Sequence, residues 1–478
     1  MRALARFTVA VLAAILVVGP AQAADFSPSP WLEDLAQLRD AMTASYANLE
    51  WQAKRGLDLP AVYGRAQVRL ERARDDFEAR RAIDRFLETF GDGHIEIQWP
   101  TTKAPAAGRY ESQPLCVRLG YSQASDDGAA ATRLPDFRPV AAPDALLRTG
   151  IIEVAGRRVG VLRLPLFSPR GFPGLCERLA AQQSLSPDSP CDAACEDRFS
   201  HRADTAFVGE MQSAVATLKA AGTQVLLVDI AGNGGGDDTS VALARLLTAK
   251  PMPTPRIGFL RTPGWAAELT SEQADIRAGL AVTSGAEHDA LVRYDAALTA
   301  ARAETGKPCD RAPLWRGKPI ECSAAVFGVL FAGGLSPEPQ GPRDRPWAET
   351  ISAQARFPPT TALWRGPVIV LVDGDSASSS EFFAAMMQDR HAALILGAPT
   401  FGAGCGHMTD AEPVVLRHSG ARVSLPDCVR LRADGSNEVA GIQPDVLIGF
   451  KRFDTPAERV ARLARALPQA VARTAAGR

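Results

Sequence analysis

Two apolar runs, each followed by a turn of small residues and a helix-like segment, constrain this 478-residue chain most strongly. The first run, 224–230, precedes a glycine-rich turn and a predicted helix over 239–248. The second run, 368–372, precedes the hexapeptide 376–381, Ser-Ala-Ser-Ser-Ser-Glu, and a predicted helix over 382–388. Short apolar runs without polar alternation are typical of strands that are buried on both faces. Their alternation with helices predicts an α/β fold with a largely parallel sheet.

The rest of the chain predicts several units around this core. Apolar residues recur at helical spacing before Gly91 and alternate with polar residues after it, which indicates helices followed by a short strand. A Pro-, Ala- and Gly-rich stretch of weak periodicity follows. The predicted order is an N-terminal helical domain (24–98), a small β-rich or irregular module (99–150), an α/β core (151–450) with insertions at 169–200 and 250–360, and a C-terminal helix or tail (451–478).

The first residues are typical of a secretory leader. Arg2 and Arg6 flank the apolar stretch 9–18, and an Ala-x-Ala site ends at Ala23. We therefore predict a signal peptide cleaved after Ala23 and a periplasmic or secreted protein. The apolar stretch is shorter than the ~20 residues that a membrane-spanning helix needs, so no stable membrane insertion is predicted.

Cysteine content and charge narrow the range of ligands and partners. An even number of cysteines in an exported chain predicts disulfides. The eight are Cys116, Cys176, Cys191, Cys195, Cys309, Cys322, Cys405 and Cys428. The local disulfides Cys309–Cys322 and Cys405–Cys428 are expected. Cys191 and Cys195 are bonded to each other or, alternatively, one of them is bonded to Cys176. A zinc site at Cys191 and Cys195 would need a second Cys/His pair at a suitable distance, which the sequence lacks, so no metal or cofactor is predicted. The net charge of −1, without a basic cluster, argues against a nucleic-acid partner.

The serine-rich hexapeptide suggests a nucleophile. A small polar residue between a buried strand and a helix start is exposed and close to amide donors. The alternative is a helix N-cap formed by Ser378 or Ser380. Both can hold at once, because the helix dipole favours negative charge that develops near the serine.

The glycine-rich turn 229–236 suggests a site for a developing negative charge. Consecutive glycines let backbone amides converge on an anion. A phosphate-binding loop would end in Gly-Lys-Ser/Thr, whereas Asp237 and Asp238 follow here and would repel phosphate. An oxyanion hole fits better than a phosphate site, and a purely structural strand-to-helix turn is the alternative.

His94 is the first candidate base. It follows Gly91-Asp92-Gly93 at a helix-to-strand corner, and the chain contains only six histidines. A lone histidine is more often structural than catalytic. A position on a corner between glycines and a strand, rather than in a packed face, favours a functional role.

Together these ordered motifs resemble peptidase family S41, which includes carboxyl-terminal processing proteases and relatives of the tricorn protease core. The segments that carry the resemblance are ETFGDGHIEI (88–97), VLLVDIAGNGGG (225–236), VIVLVDGDSASSSEFFAAMMQD (368–389), LILGAPTFGAG (394–404) and NEVAGIQPDV (437–446). The resemblance implies a crotonase/ClpP-like ββα spiral core beside an N-terminal helical domain. The alternating strands of a PDZ module are not evident in 99–150.

The resemblance also implies roles for individual residues. Ser378 matches the nucleophile, and the amides of Gly236 and Ser379 match the oxyanion hole. Processing proteases carry a lysine 25 residues after the serine, where this chain has Ala403. The tricorn-like branch instead uses a histidine and a late glutamate. The matching residues here are His94 and Glu438.

This tricorn-like assignment departs from its pattern at one position. The tricorn relay has a serine immediately before the histidine, and this chain has Gly93 there. Glu438, or else Asp92, would therefore have to orient His94 directly or through water. His407, in the loop that lacks the lysine, is the rival base.

The function implied is an exported serine peptidase that works through an acyl-enzyme and takes a peptide or protein substrate. The alternative is a catalytically inactive S41-like protein that binds a peptide or another ligand. An α/β-hydrolase esterase is disfavoured, because residues 374–378 do not form a Gly-x-Ser-x-Gly elbow. The sequence leaves the oligomeric state open.

Overall fold

The computed structural model describes residues 26–100, 113–142, 145–252, 255–328, 330, 334–336, 343–451 and 453–476. The predicted leader, 1–23, lies outside the described residues, as do parts of the predicted 99–150 module and of the 250–360 insertion. The helices are α1 Ser29–Ser45, α2 Leu49–Lys54, α3 Leu59–Glu71, α4 Asp76–Glu88, α5 Leu115–Arg118, α6 Pro173–Gln182, α7 Ala193–Ala220, α8 Thr239–Leu247, α9 Pro263–Leu280, α10 Gly285–Thr305, α11 Ala348–Ile351, α12 Ser379–Asp389 and α13 Pro456–Ala476. The strands are β1 Glu96–Gln98, β2 Arg138–Pro139, β3 Arg148–Val154, β4 Arg157–Arg163, β5 Val225–Asp229, β6 Arg256–Leu260, β7 Ala325–Val326, β8 Val368–Val372, β9 Leu394–Gly397, β10 Val414–Val415, β11 Arg422–Ser424, β12 Cys428–Leu431 and β13 Val446–Leu447.

A seven-stranded sheet in the order β13-β9-β8-β5-β4-β3-β2 forms the centre of the fold. Its first five strands are parallel, and β3 and β2 extend it in antiparallel fashion. Every residue of β5 and β8 is buried. The predicted α/β class with a largely parallel sheet is therefore confirmed.

Both faces of this sheet are covered. Side chains alternate along a strand, so Leu226 and Val228 face a core shared with α7, α8 and α12. Val225 and Leu227 face the opposite core, which includes Leu463 of α13. The sheet thus lies between two helical layers, and the turns at the carboxyl ends of β5 and β8 are left to form a site.

The N-terminal helices form a separate core. Helices α1 to α4 pack against Trp315 and Val423, and β1 pairs with β11 in a three-stranded sheet. The buried carboxylate of Asp34 accepts hydrogen bonds from the backbone N–H groups of His418 and Ser419, both at 2.9 Å. These contacts fix the helical segment, and the His94 corner that follows it, against the late part of the chain.

Two segments differ in detail from the sequence pattern. Residues 148–154 form β3, which pairs with β4 along its whole length around a turn at Ala155 and Gly156. Both turn residues have positive φ, 51° and 73°, as hairpin turns of this length require. The predicted surface insertion 169–200 contains α6 and the first turns of α7.

Four disulfides link the chain. Cys309–Cys322 and Cys405–Cys428 pair as expected, and Cys191 pairs with Cys195. The fourth bond, Cys116–Cys176, joins α5 to α6. In the part of the chain that the structure describes, no helix has the length and apolar character needed to cross a bilayer.

Candidate active site

The site lies where the carboxyl ends of β5 and β8 meet. Asp229 and Leu371 are paired in the sheet, so the two following turns lie side by side. The N–H of Ala377 and the hydroxyl of Ser380 donate to the Asn233 carbonyl at 3.0 and 2.9 Å. Clefts at this edge of a parallel sheet are the usual binding sites of open α/β folds.

Ser378 adopts a strained backbone conformation. Its φ is 53° and its ψ is −117°, and it immediately precedes α12. A non-glycine residue with positive φ is uncommon, and such strain concentrates at functional sites. The same sharp strand-to-helix geometry exposes the nucleophile of serine hydrolases. This geometry singles out Ser378 among the four serines of the hexapeptide.

The glycine turn packs directly against this serine. A β-carbon at Gly235 would lie 2.7 Å from the Cβ of Ser378 and 3.1 Å from the amide nitrogen of Ser379. The N–H groups of Gly236 and Ser379 donate to no other described residue. Two unengaged N–H groups therefore flank the nucleophile candidate, as an oxyanion hole requires.

Buried polar groups hold the two turns in place. The amide of Asn233 donates to the Leu164 carbonyl, and its oxygen accepts from the N–H of Gly235. The carboxylate of Asp373 accepts from the N–H of Gly232 at 2.7 Å. The oxyanion candidates are therefore preorganised rather than free to rearrange.

His94 is bound to the loop in which the family lysine is missing. Its Nδ1 lies 2.5 Å from the carbonyl oxygen of Ala403, and Gly93 donates to the Gly402 carbonyl at 3.1 Å. A carbonyl only accepts, so the Nδ1 of His94 carries the proton and Nε2 has the free lone pair. Burial lowers the pKa of His94 below its ordinary value of 6.5, although the Ala403 carbonyl opposes that shift. The backbone of residue 403 thus fixes the tautomer that a general base needs.

His407, the rival candidate base, packs against the ring of His94 and does not occupy the same position. The two rings make a T-shaped contact with centroids 5.9 Å apart, and Nε2 of His407 lies 3.1 Å from the His94 carbonyl. His407 is exposed, whereas His94 is half-buried. Within the described residues, no hydrogen bond joins Ser378 to either histidine.

Glu438 bonds to Arg430 rather than to His94. Its Oε2 accepts from Nε of Arg430 at 2.5 Å, and its Oε1 is buried without a partner among the described residues. Burial raises the pKa of Glu438, and the guanidinium of Arg430 opposes that shift. Direct orientation of His94 by Glu438 is therefore not observed, because the Ala403 carbonyl occupies the Nδ1 position.

Asp92, the other residue considered for orienting His94, contacts its backbone. The Asp92 carboxylate accepts from the His94 N–H at 3.1 Å, and from Tyr46 and Asn48 at 3.0 and 2.9 Å. Burial raises the pKa of Asp92 to about 6. Asp92 thus fixes the corner that carries His94 to the N-terminal helices.

Asp389, the last residue of α12, bonds to the segment that follows β12. It pairs with Arg432 and accepts a hydrogen bond from the Ala433 N–H at 3.1 Å. No contact links it to the serine turn among the described residues.

Glu381 is a residue that the sequence analysis missed. Its buried carboxylate accepts from the N–H groups of Ser378, Gly402 and Ala403 at 2.7–3.0 Å, and from the Thr400 hydroxyl at 2.6 Å. It therefore joins the serine turn to the loop that holds His94. A signal was present, because a glutamate three residues after a serine at a helix start is the pattern of a capping box.

A cavity of about 890 Å³ opens beside Gly236. Its lining includes Tyr121, Asp237, Asp238 and Arg356. Burial raises the pKa of Asp237 to about 6. The cavity is large enough to hold several residues of a peptide next to Gly236.

Comparison with known proteins agrees with this architecture. The crystal structure of mature CPAF superposes with a TM-score of 0.58 at 15% identity, covering 94% of this chain and 98% of that one. Mature CPAF complexed with lactacystin gives 0.58 at 14% identity, with coverage of 94% and 99%. The model of "Peptidase family S41" matches residues 198–448, more than half of the chain. The chain therefore belongs to peptidase family S41, a family of serine peptidases.

Proposed function

We propose that this protein is an exported serine peptidase in which Ser378 is the nucleophile and His94 is the general base. The observation that supports this most strongly is the strained turn at Ser378, flanked by the unengaged N–H groups of Gly236 and Ser379. Backbone strain and donors without an acceptor both cost stability, and they are retained where they serve chemistry.

The reaction proceeds by acyl transfer. The Oγ of Ser378 attacks the substrate carbonyl carbon while Nε2 of His94 accepts its proton, and the Gly236 and Ser379 amides bind the oxyanion. The imidazolium then protonates the leaving amine, and the C–N bond breaks to give an acyl-enzyme. Water, deprotonated by His94, attacks the acyl-enzyme and releases the carboxylic acid and free Ser378. Each oxyanion donor is worth about 3 kcal/mol of barrier.

The electrostatic setting of His94 suits a base at neutral pH. Burial keeps its pKa below 6.5, so the ring is neutral above that value and ready to accept a proton. The Ala403 carbonyl accepts from Nδ1–H in the neutral and the protonated ring, and it holds the neutral ring in the tautomer whose Nε2 is free to accept a proton. It takes the place that a carboxylate holds in a Ser-His-Asp triad.

The substrate class is a peptide or protein. A cavity of about 890 Å³ next to Gly236 offers room for residues that flank the scissile bond. Four disulfides and the leader-like first residues support folding in an oxidising compartment outside the cytoplasm.

A catalytically inactive, peptide-binding protein is the second candidate. It is favoured by two observations: residue 403 is alanine, and no hydrogen bond joins Ser378 to His94 among the described residues. Hydrogen bonds in unliganded active sites are often formed only when substrate binds, so these observations do not outweigh the serine turn.

Peptide hydrolysis by purified protein tests the proposal. The chain from residue 24 onward, folded with its disulfides, is incubated with a mixed peptide library and the products are identified by mass spectrometry. We expect cleavage that is lost in Ser378→Ala and kept in Ser379→Ala, because the latter substitution retains the backbone amide. Peptide binding without cleavage by the wild type would support the inactive protein instead.

A further inference from the structure

Arg430 connects three segments of the candidate site. Its Nε donates to Glu438 at 2.5 Å, and a terminal nitrogen donates to the Gly404 carbonyl at 2.7 Å. The same side chain lies 3.5 Å from the carbonyl oxygen of Ser378. One guanidinium thus contacts the late glutamate, the loop that holds His94 and the backbone of the nucleophile candidate.

The Arg430–Glu438 pair is almost completely buried. Arg430 is 7% exposed and Glu438 is 0% exposed. A buried ion pair contributes little net stability, because removal of both charges from water offsets their attraction. The ring of Phe382, 4.7 Å from the guanidinium, further restricts its orientation. The buried pair therefore fixes the position of the Arg430 guanidinium and adds little to the stability of the fold.

Arg430 lies on the same face of strand β12 as Cys428, whose disulfide anchors the loop that holds His94. Residues two apart on a strand point to the same side, and Cys428 precedes Arg430 by two positions. Cys428 is bonded to Cys405, which follows Gly404. Strand β12 therefore holds the loop at adjacent residues, by a covalent bond and by a charged hydrogen bond.

The loop held in this way determines where His94 lies. Gly404 follows Ala403, whose carbonyl oxygen is 2.5 Å from Nδ1 of His94. Any shift of Gly404 is passed along the backbone to the histidine ring. We propose that Arg430, fixed by Glu438, is a positioning residue that sets His94 relative to Ser378. This inference rests on the proposed peptidase function.

The proposal also explains why Glu438, among the described residues, bonds to Arg430 and not to Nδ1 of His94. Glu438 acts through Arg430. Its buried carboxylate binds Nε of the guanidinium and so orients the terminal nitrogen that donates to the Gly404 carbonyl. Removal of either partner would leave the other charge buried and uncompensated.

The charge of Arg430 offers a readout beyond structural integrity. Arg430 and His407 lower the pKa of His94, in addition to burial, whereas Glu96 and the Ala403 carbonyl raise it. Asp92 accepts a hydrogen bond from the His94 N–H. Loss of the Arg430 charge therefore raises the pKa of His94, and the acid limb of the kcat/KM profile moves to higher pH.

The test compares Arg430→Met and Arg430→Lys with the matched control Arg432→Met. Arg432 lies two residues further along and also forms a largely buried ion pair, with Asp389, but it does not contact the loop or the serine turn. We expect kcat of Arg430→Met to fall at least tenfold with little change in KM, together with an upward shift of the acid limb. Arg430→Lys keeps the charge, so its acid limb stays in place although kcat falls. Arg432→Met keeps both wild-type properties.

Denaturation curves establish that each variant is folded at the assay temperature, and Glu438→Gln serves as the second variant if Arg430→Met does not fold. Glu438→Gln is expected to lower kcat without abolishing folding. Wild-type kcat and pH profile in folded Arg430→Met, or wild-type kcat in Glu438→Gln in its place, would overturn the positioning role. The peptidase proposal fails separately, if wild-type cleavage is absent or does not depend on Ser378.

Discussion

Gly406 lies against the ring of His94, and its replacement by alanine offers a sharp perturbation of the base. A β-carbon at this position would lie 2.9 Å from Cε1 of the ring, 3.0 Å from Nε2 and 3.1 Å from Nδ1. Carbon atoms in optimal contact are about 3.5–4.0 Å apart, so the ring would have to move by about 0.5–1 Å. A misplacement of about 1 Å costs up to about 100-fold in rate, or about 2.7 kcal/mol of barrier.

Gly435 supplies the matched control. Its φ of +85° is almost the same as the +86° of Gly406, but no described residue beyond its two chain neighbours lies within 4 Å of a β-carbon built there. Both alanine variants therefore incur backbone strain of roughly 1–2 kcal/mol. Only Gly406→Ala also displaces His94. The assay is kcat/KM for a cleaved peptide, with stability followed by urea denaturation. Equal kcat/KM in the two variants at the same folded fraction would refute the placement of the base.

Three further predictions concern charge, pH and covalent anchoring. Glu381→Gln leaves at least one buried N–H without its acceptor and should lower the free energy of unfolding by about 2 kcal/mol, measured in urea; an unchanged midpoint would contradict it. The acid limb of kcat/KM should lie below pH 6.5, because burial lowers the pKa of His94; a limb at or above 6.5 would argue against His94 as the base. The double variant Cys405→Ser, Cys428→Ser should lose about 3 kcal/mol of stability, because the loop is no longer cross-linked. It should also lose activity under conditions where it remains folded. Full activity of the folded variant would show that the disulfide is dispensable for catalysis.

The parts of the fold encoded by local pattern were predictable. Strand β8 coincides with the apolar run 368–372, and α8 with the predicted helix after the glycine turn. Burial on both faces produces such continuous runs, so the parallel centre of the sheet is visible in the sequence. Ser378 and Gly236 follow two of these strands, and their pairing as nucleophile and oxyanion donor was implied by the resemblance to family S41.

Features that depend on distant contacts were not predictable. Strand β3 was not recognised, and the predicted boundary at residue 150 falls inside it, because its identity depends on pairing with β4 rather than on its own alternation. The Ala403 carbonyl lies 309 positions from His94 in sequence, and a backbone oxygen leaves no signature in residue type. The Arg430–Glu438 pair likewise has no recognisable spacing. The missing lysine was apparent, but the contact of the backbone carbonyl at that position with His94 was not.

Covalent labelling with a fluorophosphonate probe tests the central claim most directly, since the probe modifies serines that are activated as nucleophiles. Mass spectrometry locates the modified residue in the wild type, Ser378→Ala and His94→Ala. We predict one adduct, on Ser378, that is absent from Ser378→Ala and forms at least about 100-fold more slowly in His94→Ala. An adduct on another residue, or labelling at the wild-type rate in His94→Ala, would contradict the account.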